Sequence, residues 1–327
     1  MSFAHLIKEI GRAERGANDL GEADARQLFG AMLDGGVPEL ELGAILIALR
    51  MKGESVAELV GFRAAAQERL SRLSPPPGAL RPAVIPTYNG AKRQPNLTPL
   101  VAQLLARMGV PVLVHGTLDG QGRVASAYVF RELGVLPCIS VAQAQAQLES
   151  DRLAFVPTGV ISPGLASLLA VRSRLGLRNC AHSVVKLIDP FGGGSVCVIG
   201  ATHPHSLEVG RGTLLAVRER GLVFRGTDGE SFANPRKRPR IEYLAEGEVE
   251  VLFEAEHTSP EEQTEAQAEI EARATAAHIR NILEGRAPLP MPIANQLACC
   301  LYATGLAADF NQAKALAAVQ AHTRAMA

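Results

Sequence analysis

Three consecutive prolines, Pro75, Pro76 and Pro77, divide this chain into two stretches with different residue patterns. Proline has no amide hydrogen and a locked φ, so no helix crosses such a run and the backbone there is stiff and extended. Ahead of the prolines, apolar residues recur at three- and four-residue steps. Asp19 with Glu22 has the spacing of a capping box before Ala25, Leu28, Phe29, Met32 and Leu33, and Gly35 and Gly36 end that helix. Pro38 suits the first turn of the next helix, in which Ala44, Ile45, Ala48 and Leu49 repeat. Ser55 with Glu58 opens a capped third helix reaching about Leu73. The opening MSFAHLIKEIGRAERG has no apolar signal-peptide core and reads as a further helix. Residues 1–74 are therefore expected to form an all-helical domain.

Beyond the prolines, short β-type runs at 83–87, 112–116, 154–158, 195–200 and 222–226 alternate with helical stretches. That alternation predicts βαβ units around a mostly parallel sheet, with function at the carboxyl ends of the strands. Residues 241–256 alternate in the manner of an antiparallel addition. Ser259, Pro260 and Glu262 are read as the start of a long helix through about Leu283, and a Leu/Ala-rich helix pair closes the chain. The expected fold is thus α/β, with a small helical domain packed on a larger α/β domain spanning 75–327. A helical segment around 162–187 is expected to pack on the helical domain.

Composition removes several classes. With 47% hydrophobic residues and equal numbers of basic and acidic groups, 33 each, the chain is not a disordered polyelectrolyte. No apolar stretch approaches the ~18 residues of a spanning helix, which argues against a membrane partner. Five cysteines without CxxC spacing disfavour a disulfide scaffold or a zinc site, and a reducing cytoplasm is the expected location. The zero net charge hides its parts: −2 over residues 1–74, +10 over 75–240 and −8 over 241–327. Such asymmetry is a hint of contact with nucleic acid or another anion, although acids and bases from different segments could neutralise each other.

Two segments carry that charge into specific places. In VIPTYNGAKRQPNLTPLVAQLL (84–105), a strand runs through a loop into a helix, the geometry of an anion site, with Lys92 and Arg93 beside it. The plain alternative is an ordinary βα turn. In ANPRKRPR, Arg236, Lys237, Arg238 and Arg240 lie on a proline-flanked segment, expected as an exposed loop able to reach separate phosphates. The opposing reading is neutralisation by Glu242, Glu246 and Glu248. Arg172, Arg174, Arg178, Lys186 and Arg211 extend the basic series. Tryptophan is absent and only four tyrosines occur, so backbone electrostatics is favoured over base stacking.

The run DARQLFGAMLDGGVPELELGAILIALRMKGESVAELVGF resembles the helical domain of anthranilate phosphoribosyltransferases and pyrimidine-nucleoside phosphorylases. LVHG (113–116), VRSRLGLRN (171–179), CVIGATHPH (197–205) and NQLACCLYATGLAADFNQAKALA (295–317) continue the likeness in order. The resemblance implies a dimer formed through the helical domain. It also exposes departures. The family's Gly-Thr-Gly-Gly-Asp pyrophosphate loop stands here as Pro86-Thr87-Tyr88-Asn89-Gly90, and its Lys-His-Gly-Asn as Val114-His115-Gly116-Thr117. Its adjacent Asp-Glu magnesium pair appears as Asp228-Gly229-Glu230. The TYNGAKRQPNLTP loop, HSVVKLIDPF and GTDGESFANPRKRPR resemble the YbiB-type branch, which implies a homodimer that binds nucleic acid without marked sequence preference.

The favoured expectation is therefore DNA binding through backbone phosphates, without a cofactor, by Lys92, Arg93, Arg172, Arg174, Arg178, Lys186, Arg211, Arg236, Lys237, Arg238 and Arg240. The alternative is a transferase with an altered substrate. It would hold phosphoribosyl pyrophosphate at Thr87, Asn89, Gly90, Asn96, Thr98 and His115, with Mg2+ at Asp228 and Glu230. A third reading is a scaffold that binds another protein through the acidic 241–271 region. Among smaller features, His203 and His205 are expected to cap a helix rather than bind metal. Gly192, Gly193 and Gly194 are read as a flexible connection, and Cys299 and Cys300 as core.

Overall fold

The computed structural model describes residues 3–12, 16–78, 80–256 and 270–322. Helices α1 (Ala4–Ile10), α2 (Glu22–Leu33), α3 (Glu39–Lys52) and α4 (Val56–Glu68) come first. The Ser55 capping box forms at α4. Ser55 Oγ accepts the Glu58 amide at 3.3 Å, and Glu58 Oε2 accepts the Ser55 amide at 2.9 Å. Such a cap contributes about 1 kcal/mol. The same fully buried carboxylate receives Lys52 Nζ at 2.7 Å and the Leu20 amide at 3.0 Å, so one acid also fixes where the chain enters α2. The box expected at Asp19 does not form. Gly21 is the N-cap of α2, and Asp19 pairs with Lys52 at 2.6 Å, because an ammonium is a stronger partner than an amide. Pro38 sits one position before α3 rather than within it, and α4 ends at Glu68, short of Leu73. Phe29 and Phe62 stack at 4.9 Å and join α2 to α4, burying two of the largest apolar side chains of this domain.

The strands are β1 (Ala83–Thr87), β2 (Val112–Gly116), β3 (Leu153–Pro157), β4 (Val196–Ala201), β5 (Gly221–Arg225), β6 (Ile241–Ala245) and β7 (Glu248–Phe253). They form one sheet in the order β3-β2-β1-β4-β5-β6-β7. The first five are parallel, and β6 and β7 are antiparallel additions. Side chains alternate with period two between two cores. Val84, Leu113, Val156, Ile199 and Val223 join the helical domain, while Ile85, Val114, Phe155, Val198 and Phe224 join the opposite layer. Helices α5 (Thr98–Arg107), α6 (Ser126–Glu132), α13 (Ala272–Leu283), α14 (Met291–Ala303) and α15 (Phe310–His322) cover that opposite face. Cys299 and Cys300 are buried within it. Ser259, Pro260 and Glu262 lie outside the described residues.

Helices α7 (Val141–Ser150), α8 (Thr158–Ile161), α9 (Pro163–Ala170), α10 (Arg172–Leu175), α11 (Ala181–Val184) and α12 (Pro204–Ala216) occupy the other side. Helix α9 packs on α2, α11 on α4, and α12 on α4. Polar ties lock the two parts together. Arg63 donates to Leu187 O at 2.7 Å and pairs with Glu219, while Gln67 exchanges two hydrogen bonds with the Asp189 backbone at 2.9 and 3.0 Å. The triple glycine is fastened as well, since Gly193 N donates to Asp189 Oδ2 at 2.7 Å. Among the described residues no helix is long and apolar enough to cross a membrane.

Strand β1 lies between β2 and β4, so connections leave its two sides in opposite directions. A sheet of this type opens a crevice at the carboxyl ends of the strands where the order reverses. The loop after Thr87 and the turn after Ala201 border that crevice, facing α3 and α4.

Candidate nucleic-acid interface

The loop following β1 has a well-made anion cradle, and the chain fills it with its own acids. The turn at Asp228 and Gly229 takes positive φ values of 54° and 86°, which aims both neighbouring carboxylates at the loop. Glu230 is fully buried. Its Oε1 accepts the amides of Asn89 at 2.6 Å and Gly90 at 2.7 Å, and its Oε2 accepts the Thr87 hydroxyl, with Thr98 Oγ1 at 3.5 Å. Asp228 Oδ2 accepts the amides of Lys92 at 2.9 Å, Arg93 at 2.8 Å and Gln94 at 3.3 Å. Convergent loop amides ahead of a helix are the usual donors to a phosphate. Here two carboxylates satisfy five of them, at the full strength of charge-assisted bonds.

The remaining residues of the transferase alternative are also committed to one another. Asn89 Nδ2 donates to Gly229 O, and Asn96 Nδ2 donates to Val124 O and Ser126 Oγ, both at 3.1 Å. His115 lies on β2, fully buried, with Nδ1 2.7 Å from the Tyr88 hydroxyl, which in turn lies 3.0 Å from Thr158 Oγ1. Burial pushes the His115 imidazole down to about 3, so the ring is neutral. Tyr88 thus occupies space beside the histidine rather than leaving it open to a ligand. Asp228 and Glu230 accept from different sets of loop amides, and the described residues contain no cluster of three or more metal-ligating side chains. These residues do not fit a magnesium-bridged pyrophosphate: the acids that would hold the ion are hydrogen-bonded to the amides that would hold the phosphates.

In front of this filled loop lies a cleft of about 480 Å3 between the helical domain and the strand ends. Arg50, Lys92, Arg93, Arg123, Arg178 and Lys186 line it, with Glu54 and Asp228 as its carboxylates. Arg172 stands close enough to Arg123 and Arg178 for their charges to repel. No ion pair engages these cations among the described residues; Arg123 donates only to the carbonyls of Gly90 and Asp228, at 3.3 and 3.4 Å. Burial, then repulsion from Arg172 and Arg123, pushes the Arg178 guanidinium down to about 10. Burial and Arg123 lower Arg172 in the same way. Lys186 Nζ donates to Gly200 O at 2.7 Å and Gly229 O at 2.8 Å, and burial brings its ammonium down to about 8, against the pull of Glu230. Burial is the main cause of all three shifts, and mutual repulsion adds to it for the two arginines.

A second cavity of about 730 Å3 adjoins the first, sharing Arg93, Thr202 and Asp228 with it. Its cations are Arg93, Arg211, Arg225, Lys237, Arg238 and Arg240. Half of them are neutralised. Arg211 pairs with Glu242 at 3.0 Å, Arg238 with Glu256 at 3.4 Å, and Arg240 with both Glu242 at 3.0 Å and Glu254 at 2.8 Å. Arg174 is turned to Glu39 at 3.1 Å. The basic run at 236–240 is therefore less available than its composition suggests, because β6 and the end of β7 set glutamates against it. Lys237 is exposed, with no ion pair among the described residues. Arg50, Arg123 and Arg225 belong to the same surface and fall outside the basic series expected from the sequence. Arg225 carries a usable signal, being the last residue of a parallel strand. Arg50 and Arg123 are isolated cations in sequence that only packing brings to the cleft. His203 precedes α12 without forming a side-chain cap and instead lines the cleft with His205.

A small helical domain, a parallel sheet with a crevice at its strand ends and a degenerate phosphate loop define a class. The chain belongs to the anthranilate phosphoribosyltransferase-like family. The helical bundle domain of the glycosyl transferase family matches residues 4–70. The protein YbiB of Escherichia coli (strain K12) is 41% identical over 312 residues, covering 95% of this chain and 97% of that one. The anthranilate phosphoribosyltransferase of Methylocella silvestris is 28% identical over 317 residues, covering 94% and 88%. The crystal structure of anthranilate phosphoribosyltransferase from Thermus thermophilus shares the fold at a TM-score of 0.74 and 24% identity, covering 93% of this chain and 92% of that one. The enzyme from Saccharomyces cerevisiae in complex with PRPP and Mg does so at 0.71 and 12%, covering 98% and 94%.

Proposed function

We propose that this protein binds nucleic acid through backbone phosphates, without marked sequence preference, on a transferase-type scaffold whose pyrophosphate loop is closed. The carrying observation is the set of cleft cations, Arg50, Lys92, Arg93, Arg123 and Arg178 with Arg172 beside them, which have no ion pair among the described residues while Asp228 and Glu230 accept from loop amides. Arg93 continues this surface into the outer cavity, giving a basic track across the strand ends. Phosphate contacts made by separate cations need no base readout, and the scarcity of exposed aromatics agrees with that mode.

The reading includes a homodimer through the helical domain, supported by α3. Leu40, Ala44, Ile47 and Met51 fall on one face of that helix, and Leu40 and Met51 are 84% and 76% exposed. A second copy would double the track and raise affinity without new contacts. The test is fluorescence anisotropy with single- and double-stranded oligonucleotides across salt concentrations. Expected is a linear fall of log affinity with log salt, at about 0.7–0.9 per phosphate contacted. Affinity independent of salt overturns the reading. Met51→Lys, followed by sedimentation, tests the dimer.

A further inference from the structure

The two cavities of the basic track differ in what kind of phosphate they suit. We infer that the inner cleft, lined by Arg123 and Arg178, receives a strand-terminal phosphomonoester, whereas the outer loop contacts passing phosphodiesters; this rests on the nucleic-acid reading above. Charge is the first reason. Of the two carboxylates facing the cleft, Asp228 is held by three backbone amides. Glu54 is raised above its ordinary value by burial and lies 3.4 Å from Ser183 Oγ. Neither forms an ion pair with the arginines. With six cations and two carboxylates along its lining, the cleft carries an excess of positive charge, and Arg178 and Arg172 are repelled by their neighbours.

The number of charges and acceptors points the same way. A phosphodiester has one negative charge and two free oxygens. A phosphomonoester carries about −1.5 to −2 near neutral pH and three strong acceptor oxygens. Several guanidinium groups gathered along one cleft are matched better by the latter. Ion-paired arginines such as Arg238 and Arg240 leave too little net charge to make that distinction.

Size agrees. A cavity of about 480 Å3 lies within the range of small-ligand sites and admits one nucleotide, but no duplex. The loop amides, the other phosphate donors, are already taken by Glu230 and Asp228. Recognition falls to the arginines, whose planar forks match phosphate oxygens.

The test compares oligothymidylates of equal length bearing a 5′-phosphate, a 3′-phosphate or no terminal phosphate. One phosphorylated form is expected to bind about tenfold more tightly than the unphosphorylated strand, as one or two added charge-assisted bonds imply. An unphosphorylated strand longer by one nucleotide controls for added charge and is expected to show no such gain. Arg178→Gln, or Arg172→Gln if the first fails to fold, is expected to bring the ratio to one. Lys237→Gln is expected to weaken all strands and keep the ratio. Equal binding of all three strands overturns this inference and leaves the general reading standing. If none binds in a salt-dependent way, both fail. Abolition of the preference by an equal concentration of thymidine 5′-monophosphate makes a free nucleotide the occupant and overturns the strand-end assignment.

Discussion

The inner cleft and the outer basic loop carry comparable numbers of cations but distribute their acids in opposite ways. At the cleft, Asp228 and the buried Glu230 behind it accept from backbone amides, and the lining arginines have no ion pair among the described residues. In the outer loop, Glu242, Glu254 and Glu256 are spent on the arginines themselves. Availability of a positive charge thus depends less on how many bases are clustered than on what the neighbouring acids are doing. Surface pairs of the outer kind add little stability and are screened by salt. Their effect is to mask charge.

The first way to break this contrast is to remove the acid that closes the loop. Glu230→Leu leaves the Asn89 and Gly90 amides without their acceptor in a fully buried site. A loss of about 3 kcal/mol is expected in urea denaturation, the cost of orphaned buried donors. Unchanged stability would mean that the amides do not depend on that carboxylate. Next in size is the cleft itself. Arg178→Gln is expected to reduce oligonucleotide affinity about tenfold, against about twofold for Arg240→Gln, read by anisotropy at one salt concentration. Equal effects would erase the distinction between the regions.

Lys186 gives the comparison a pH signature. Its folded value of about 8 lies below the ordinary 10.5, so between these values the unfolded chain holds a proton that the folded protein lacks. Stability contributed by this group therefore rises with pH across that window. Binding responds in the opposite sense. As pH rises from 7 to 9 the cleft loses a positive charge, and affinity is expected to fall about threefold, a change absent in Lys186→Met. His182, lowered to about 3 chiefly by burial, stays neutral and adds no step near pH 6. The smallest effect sharpens the contrast instead. Glu254→Gln frees Arg240 from one of its two partners, and a gain of about twofold in affinity is expected. A loss would mean that Glu254 does something other than mask charge.

Much of the fold is legible in the chain. The β runs at 83–87 and 112–116 coincide with β1 and β2, and the alternation after residue 240 becomes an antiparallel pair. The Ser55–Glu58 box forms because its two halves are three residues apart and need no distant partner. The Asp19–Glu22 box has the same spacing and fails, because Lys52 reaches Asp19 from another helix. The candidate site is legible only in outline. The loop at 87–94 and the turn at 228–230 both stand out in the sequence, but as a weakened ligand site, not as each other's ligands. The run at 236–240 stands out too, and two of its arginines prove to be paired.

The division at Pro75–Pro77, the period-two strands that build the sheet and the basic character of the central half of the chain are written in the amino-acid order, since these follow from spacing and composition over short distances. Which charges are paired is settled by packing. An ion pair or an amide-bound carboxylate can join residues more than a hundred positions apart, as Asn89 and Glu230 are, and such a partnership exists only once the sheet has brought their loops together.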